Sequence, residues 1–419
     1  MFLTKAPTLN APDPAAESFA ARLMRLEQGS RHVAYFYPHP NTGTFRYRVL
    51  NMIEALAATG VSVGASWFSS GELVYLDQII ERTDVVVVCH AKYSREFGQL
   101  VAKARAKGKR VLYDIDDLVF DDRFVHLILN YLDHPTTDVD MDYWFADVGR
   151  YGALMRLCDG VILTNEFLAE RAREFSGLPT EVVPNFMNRI QLSHSARILY
   201  DKCSSGFARD GHIHVGYFSG SPTHRRDFSI IEDSLLSLMD TDLRVVLVIV
   251  GFLEPHRFAR FGDRVEVFPM QNILNLQRAI AEVEINVVPL QDNVFTNCKS
   301  ELKVFEASAV GTISIASPTF TLGRVIRDGE TGFLAPAQCW REAFDRAIDQ
   351  LERYPDMALA AAGTALRCYV PDVQGPAVMR ALFGDSVEGF DHGSDSAGLV
   401  GWTSAAQSTS GGAGFGGLR

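Results

Sequence analysis

Little in this 419-residue sequence points to metal clusters or covalent cross-links. Its six cysteines, Cys89, Cys158, Cys203, Cys298, Cys339 and Cys368, are widely scattered, and none forms a Cys-x-x-Cys pair. That argues against a zinc site or a disulfide framework and fits a reducing cytoplasm. No stretch approaches the roughly 20 apolar residues that a membrane span needs. The first 30 residues mix Pro, Ala and charges without a long apolar run, so no secretory signal is expected. Positive charge is also scarce: the formal net charge is −11, which disfavours broad nucleic-acid binding. Together these absences point to a cytoplasmic protein, with room left for peripheral contact at the inner face of a membrane.

What is present is an ordinary globular composition, 47% hydrophobic and 22% charged, in a chain long enough for two domains. From Arg31 onward, short apolar runs such as "HVAYFY", "DVVVVCH", "RVLYDID" and "DGVILTN" alternate with helical stretches of 10 to 16 residues. A second series follows: "HIHVGYFSG", "LRVVLVIVG", "RVEVFP", "EINVVPL" and "TISIAS", again with helices between. The alternation predicts βαβ units and parallel sheets, an α/β class. The expected organisation is a flexible segment over 1–30, a first domain over 31–186, a polar linker over 187–211 and a second domain over 212–383. Residues 384–419, rich in Gly, Ser and Ala, read as a disordered tail. Between Val119 and Trp144 the pattern lapses into an aromatic, acidic stretch, and an insertion of that kind in a compact domain is often functional.

Chemistry concentrates at "NCKSELKVFEASAVG", which reads as a loop running into a helix over about Ser300–Val310. At 100° per residue, Lys299, Lys303 and Glu306 fall on one stripe, while Leu302, Phe305 and Ala309 pack beside it. A helix start carries free N–H groups and the positive end of the dipole, with Ser300 a candidate cap. Lysines beside such a start suit a phosphate, and a carboxylate further along the stripe suits a ribose diol. Read alone, the stripe fits equally well an i,i+3 surface pair of Lys303 and Glu306.

Other candidates lie at strand ends, where open α/β sheets bind ligands. "HPNTGTFRYRVLNM" offers Gly43, which allows close backbone approach, together with Thr44, Arg46 and Arg48, the arginines facing either a cleft or solvent. "VVVVCHAKYS" ends on His90 and Lys92, and a lone His is more often structural than catalytic. "YFSGSPTHRRDF" joins a strand to a helix through Ser219, Gly220, Ser221 and Thr223, followed by His224, Arg225 and Arg226. It reads either as an anion cradle or as a helix cap with exposed arginines. Asp114 and Asp116, with Asp117 next to them, form a weak Asp-x-Asp signal.

The string "FEASAVGTISIASP", continued by "VIRDGETGFLAP", resembles the donor-binding segment of retaining GT-B glycosyltransferases, the family 4-like group 1 enzymes that include glycogen, sucrose and lipopolysaccharide-core synthases. Glu306, Gly311 and Pro318 match the family's second Glu, its Gly and its Pro, and Gly329 and Gly332 match the turn beyond. Where the family has its first Glu, which reaches the donor sugar, this chain has Cys298. "NCKSELK" looks more like a subgroup from bacterial polysaccharide and rhamnan synthesis.

The resemblance implies two Rossmann-like domains facing across a cleft. It also implies transfer of a hexosyl group, with retention, from a nucleoside-diphosphate sugar to a glycan or lipid-linked acceptor, and no metal cofactor. It assigns the donor to Gly220, Ser221, His224, Arg225, Arg226, Asn297, Lys299, Ser300, Lys303 and Glu306. The acceptor side then falls to Gly43, Thr44, Arg46, His90, Lys92, Asp114, Asp116 and Asp117, with His90, Lys299 and Glu306 nearest the chemistry. Asp-x-Asp holds a divalent cation in the other glycosyltransferase architecture, GT-A, but that reading leaves the second half unexplained. Two further readings stay open: a sugar-nucleotide 2-epimerase of similar fold, and a non-catalytic sugar-nucleotide-binding protein.

Overall fold

Runs such as Val85–Cys89 and Val245–Gly251 carry apolar side chains on both faces, and each becomes a strand covered on both sides. Helices packed above and below a parallel sheet account for this lack of alternation. The structure, a computed structural model, describes residues 2, 9–10, 16–40, 43–132, 134–220 and 225–384. Among the described residues two six-stranded sheets carry the fold, and all their pairings are parallel.

The first sheet has the order β2-β1-β3-β4-β5-β6. Its strands are β1 (Arg31–Phe36), β2 (Val63–Phe68), β3 (Val85–Cys89), β4 (Arg110–Asp114), β5 (Gly160–Leu163) and β6 (Thr180–Val182). The second has the order β12-β11-β10-β7-β8-β9. It is built from β7 (Ile213–Ser219), β8 (Val245–Gly251), β9 (Val265–Phe268), β10 (Ile285–Val288), β11 (Ile313–Ala316) and β12 (Gly332–Leu334). Each sheet has its own apolar core.

Three stretches differ from the sequence reading. Residues 187–211, read as a linker, contain a 16-residue helix, Arg189–Ser204. It looked polar because Gln191, His194, Ser195 and Lys202 are themselves buried and hydrogen-bonded. Lys202 Nζ donates to the Gly311 carbonyl at 3.0 Å, beyond the helix that Gly311 closes with φ +64°. Segment 1–30 is also anchored where it is described. Phe2 is buried against Phe207 and Tyr354 of the second half. The helix Phe19–Leu26 lies on the first half, where Arg22 covers Trp67 at 3.9 Å and pairs with Glu72. The lapse over 119–144 is helical as well, with Val125–Leu129 followed by Asp138–Met155.

The chain crosses back at its end. The helix Pro371–Phe383 leaves the second half and packs on Asn51–Ala58 of the first. Gly375 makes the contact, since a Cβ there would lie 2.7 Å from Thr59 Cγ2 and 2.9 Å from the Ala55 carbonyl oxygen. Arg110 Nη1 donates to the Leu382 carbonyl at 2.8 Å beside it. Of the expected tail, only Gly384 lies among the described residues. No helix of the described residues is long and apolar enough to cross a membrane.

Candidate functional site

Side chains from the carboxyl ends of both sheets meet, where ligands gather in folds of this class. Asn165, the N-cap of the helix Glu166–Ser176, holds the Leu168 amide with its oxygen. Its Nδ2 reaches across to the Cys298 carbonyl at 2.7 Å. Asn185 Nδ2 donates to Ser300 Oγ at 3.1 Å, and Tyr131 donates to Asp227 Oδ1 at 3.3 Å. Arg226 donates to Asn130 of the 119–144 stretch, so it bridges the halves instead of standing free for a phosphate.

The loop before the donor helix is shaped by its own polar groups. Asn293 and Thr296 form a reciprocal cap on the turn Val294–Asn297. Asn297 is consumed locally: Nδ2 donates to Asp292 and to the Asn293 carbonyl, and Oδ1 accepts from the Phe320 amide at 2.7 Å. It is therefore a brace of this loop. Phe295 and Cys298 insert into the apolar core of the first half, with the Phe295 ring 5.5 Å from that of Tyr131. Cys298 has no exposed surface. A carboxylate there would be stranded among apolar neighbours, which gives a physical reason for Cys where the related motif carries Glu. Burial pushes its thiol well above the ordinary range.

The helix itself is shorter than expected, Leu302–Ala309, with Glu301 at its N-cap and no side-chain cap. Ser300 is turned toward Asn185 instead. Glu301 is buried and accepts from Tyr369 at 2.7 Å. Lys303 and Glu306 lie on this helix and Lys299 in the bend before it, and Glu306 reaches the first half through Tyr47. Lys303 is half-buried, with Nζ 5.3 Å from the Tyr217 ring centroid. Burial, reinforced by the neighbouring Lys299 ammonium, pushes Lys303 down to about 8 against the opposing pull of Asp227 and Glu306. Lys299 Nζ lies 5.0 Å from the Phe295 ring centroid. Neither lysine makes an ion pair with a described residue.

Glu306 is buried at 5% exposure. Its Oε1 accepts from Tyr47 of the first half and from Gln191 Nε2 at 3.2 Å. Burial raises its pKa, and the Tyr47 hydrogen bond and the charge of Arg46 oppose the rise. Arg46, Tyr47 and Arg48 share a π-helical segment, Arg46–Leu50. Such a widened turn redirects side chains and is frequent at functional sites.

The acceptor-side set divides. Asp114 is sealed from any ligand: Arg48, wholly buried, grips it with Nε at 2.8 Å and Nη2 at 2.9 Å. The same Arg48 reaches the Val183 carbonyl at 2.7 Å. Asp114 therefore belongs to the core, because a buried guanidinium has to be neutralised where it lies. Lys92 is paired with Asp147 at 2.5 Å. Gly43 is exposed at the start of a short helix and touches nothing through the place of a Cβ.

His90, Asp116 and Thr44 do come together. His90 holds φ +46°, a left-handed conformation uncommon outside glycine and often found at sites under functional constraint. Its Nε2 lies 3.4 Å from Asp116 Oδ1, and Thr44 Oγ1 donates to Asp116 Oδ2 at 3.2 Å. Asp117 is half-buried beside them. On the donor side Gly220 and Arg225 are exposed, while Ser221 and His224 lie outside the described residues.

The sequence reading missed Tyr47, Gln191, Asn185, Asn165 and Asp227. Asn165 and Asn185 had a signal, each standing just beyond an apolar run at a sheet's carboxyl edge. Tyr47 and Gln191 had none.

Residues 216–353 match the family model described as Glycosyl transferases group 1. No curated protein matches the sequence. Among solved structures, the Anabaena protein HepE in complex with UDP and glucose is similar at a TM-score of 0.56 and 14% identity, over 84% of this chain and 98% of its own. Sucrose-phosphate synthase from Thermosynechococcus elongatus follows at 0.54 and 15%, over 83% and 97%. WaaG, a glycosyltransferase involved in lipopolysaccharide biosynthesis, stands at 0.54 and 14%, over 84% and 100%. At such identities the likeness is one of fold, and the fold is the expected GT-B arrangement of two parallel α/β halves.

Proposed function

We propose that this protein is a glycosyltransferase that holds a nucleoside-diphosphate sugar on its second half and presents an acceptor from its first. The observation that carries the reading is the set of Lys299, Lys303 and Glu306, which lies inside the segment matching Glycosyl transferases group 1. Two crowded ammonium groups without ion-pair partners among the described residues suit a diphosphate, and a carboxylate one turn beyond suits a ribose. The printed ligands of HepE, UDP and glucose, support a nucleotide-sugar donor. WaaG's role in lipopolysaccharide biosynthesis supports a glycan or lipid-linked acceptor met at the cytoplasmic face of a membrane.

The chemistry follows from charge. As the bond between anomeric carbon and diphosphate breaks, negative charge grows on the leaving phosphate, and Lys303 and Lys299 stand ready to stabilise it. Arg46 adds a third cation without an ion-pair partner among the described residues, on the acceptor side of Glu306. Retention rests on the resemblance to retaining GT-B enzymes, and with no obligatory nucleophile presented among the described residues we assign a front-face transfer. The epimerase alternative needs free acid–base carboxylates at the sugar, and Asp114 is committed to Arg48. The direct test incubates the protein with UDP-, GDP- and dTDP-sugars, alone and with an acceptor panel. Thermal stabilisation by one donor and transfer to an acceptor are expected. An epimer formed from donor alone, or binding without transfer to any acceptor, would replace this reading with one of the other two.

Two expectations follow. Activity should survive EDTA undiminished, because the Asp-x-Asp pair cannot offer both carboxylates to a cation while Arg48 holds Asp114. Loss with EDTA and recovery with Mn²⁺ would overturn the assignment.

The second concerns pH. In the free protein Lys303 is held down to about 8, and a bound diphosphate would draw its proton back. Binding should therefore take up a proton above pH 8, and affinity should weaken as pH rises through that value, approaching about tenfold per unit. Calorimetry at pH 7 and pH 9, in buffers of different ionisation heat, measures both. Equal affinity at the two values, without proton uptake, would remove Lys303 from the phosphate site.

A further inference from the structure

We infer that Asn165 and Asn185, both on the first half, are positioning residues for Lys299, pinning the loop on either side of it; this rests on the nucleotide-sugar reading above. Lys299 lies between the turn Val294–Asn297 and the helix Leu302–Ala309, so its direction depends on what holds the chain beside it. Asn165 Nδ2 donates to the Cys298 carbonyl at 2.7 Å, and Asn185 Nδ2 donates to Ser300 Oγ at 3.1 Å. Lys299 itself is held by the second half. Its amide donates to the Thr296 carbonyl at 3.1 Å, and its carbonyl accepts from Thr321 Oγ1 at 2.8 Å. The residues before and after Lys299 are thus fixed from across the seam.

Both asparagines are built in. Asn165 is 7% exposed and Asn185 4%. Each has its oxygen committed to an N–H donor: Asn165 Oδ1 accepts from the Leu168 amide at 3.0 Å, and Asn185 Oδ1 from Arg48 Nη1 at 3.3 Å. That settles which way each amide points and leaves its NH2 for the loop. Cys298, sunk in the apolar core of the first half, adds a further anchor one residue from Lys299.

An ammonium on a flexible stem stabilises a leaving diphosphate well only when it is held in place before the charge develops. The first half therefore contributes to the donor site through two groups that need not touch the donor.

The effect can be read at Lys303 without any ligand. Around its ammonium stand Lys299 from the loop, Asp227 from the helix Arg225–Thr241, Glu306 from its own helix and the Tyr217 ring of β7. Burial and then Lys299 push the pKa of Lys303 down, and the two carboxylates pull it up. A loosened loop weakens the repulsion from Lys299, so Lys303 should titrate above its present value of about 8.

Asn165→Ser keeps a capping oxygen for the helix Glu166–Ser176 but is too short to reach the Cys298 carbonyl. Ser300→Ala removes the other pin and leaves Arg48 and Asn185 in place. The titration of Lys303 is followed by NMR on 13C-methylated lysines, its signal assigned by its loss in Lys303→Met. In both variants it should move up by about half a pH unit or more. UDP or GDP, whichever the wild type binds, should bind about tenfold more weakly to them. A merely structural role for the asparagines would lower the melting temperature and leave the titration where it is. An unmoved titration in both variants overturns the inference, and so does a shift without loss of affinity. A shift in one variant alone confines the role to the asparagine of that pair. The variants act on different pins, so one that fails to fold leaves the other to decide. If the titration moves while the wild type binds neither UDP, GDP nor dTDP, the donor reading fails and the hold on Lys299 stands.

Discussion

Lys303→Met should lower kcat/KM for the donor by about 10²- to 10³-fold, the usual consequence of removing one preorganised charge from a leaving group. The loss should appear with the melting temperature unchanged or slightly raised. Lys303 is half-buried and makes no ion pair with a described residue, so the free protein bears the cost of desolvating its charge. Methionine keeps the length of the stem and removes that cost. Steady-state kinetics paired with a thermal melt separates the two effects. Near-normal turnover would take the ammonium out of the reaction, whereas a collapsed melt would show that it holds the helix in place.

The second large effect lies in stability. Asp114→Ala should destabilise the protein by about 3–5 kcal/mol, because it strands a guanidinium with no exposed surface. Arg48→Met should do comparable damage, leaving the carboxylate alone beside Cys89 and Asp116. The double variant Arg48→Met/Asp114→Leu should recover much of the loss, since apolar groups of similar volume often replace a buried pair without penalty. Denaturant titration of the three variants decides it. Single variants within 1 kcal/mol of wild type would show that the pair is hydrated in solution and that Asp114 remains open to a ligand.

Most strands were readable because burial on both faces leaves unbroken apolar runs. "DVVVVCH" became β3 and "LRVVLVIVG" became β8, each trimmed by a residue or two at its ends. The stretch over 119–144 was unreadable for the opposite reason. The first turns of Asp138–Met155 expose Val139, Met141 and Tyr143 between acidic residues, so the pattern there repeats every two residues. The missed sign was local: Thr137 and Asp140 form a reciprocal cap.

The site shows the same division. Lys303 and Glu306 could be placed on one helix because their spacing is helical, whereas Lys299, expected on the same stripe, lies in the bend before the helix. Tyr47 could not be placed, since a π turn shifts its direction by a step that periodicity of 3.6 does not contain. Arg48 and Asp114, 66 positions apart, become partners only when the helix after β1 lies across the end of β4. Asn297 looked available because nothing in "NVFTNCKS" shows that its amide is needed by the loop itself.

The return of the helix Pro371–Phe383 to the first half has a consequence for biogenesis. As the nascent chain leaves the ribosome, the first sheet emerges early, but the groove on Asn51–Ala58 waits for residues synthesised after the whole second half. Co-translational folding of the first half is therefore left unfinished until that late helix arrives, with the apolar seam around Ala55 unsealed in the interval.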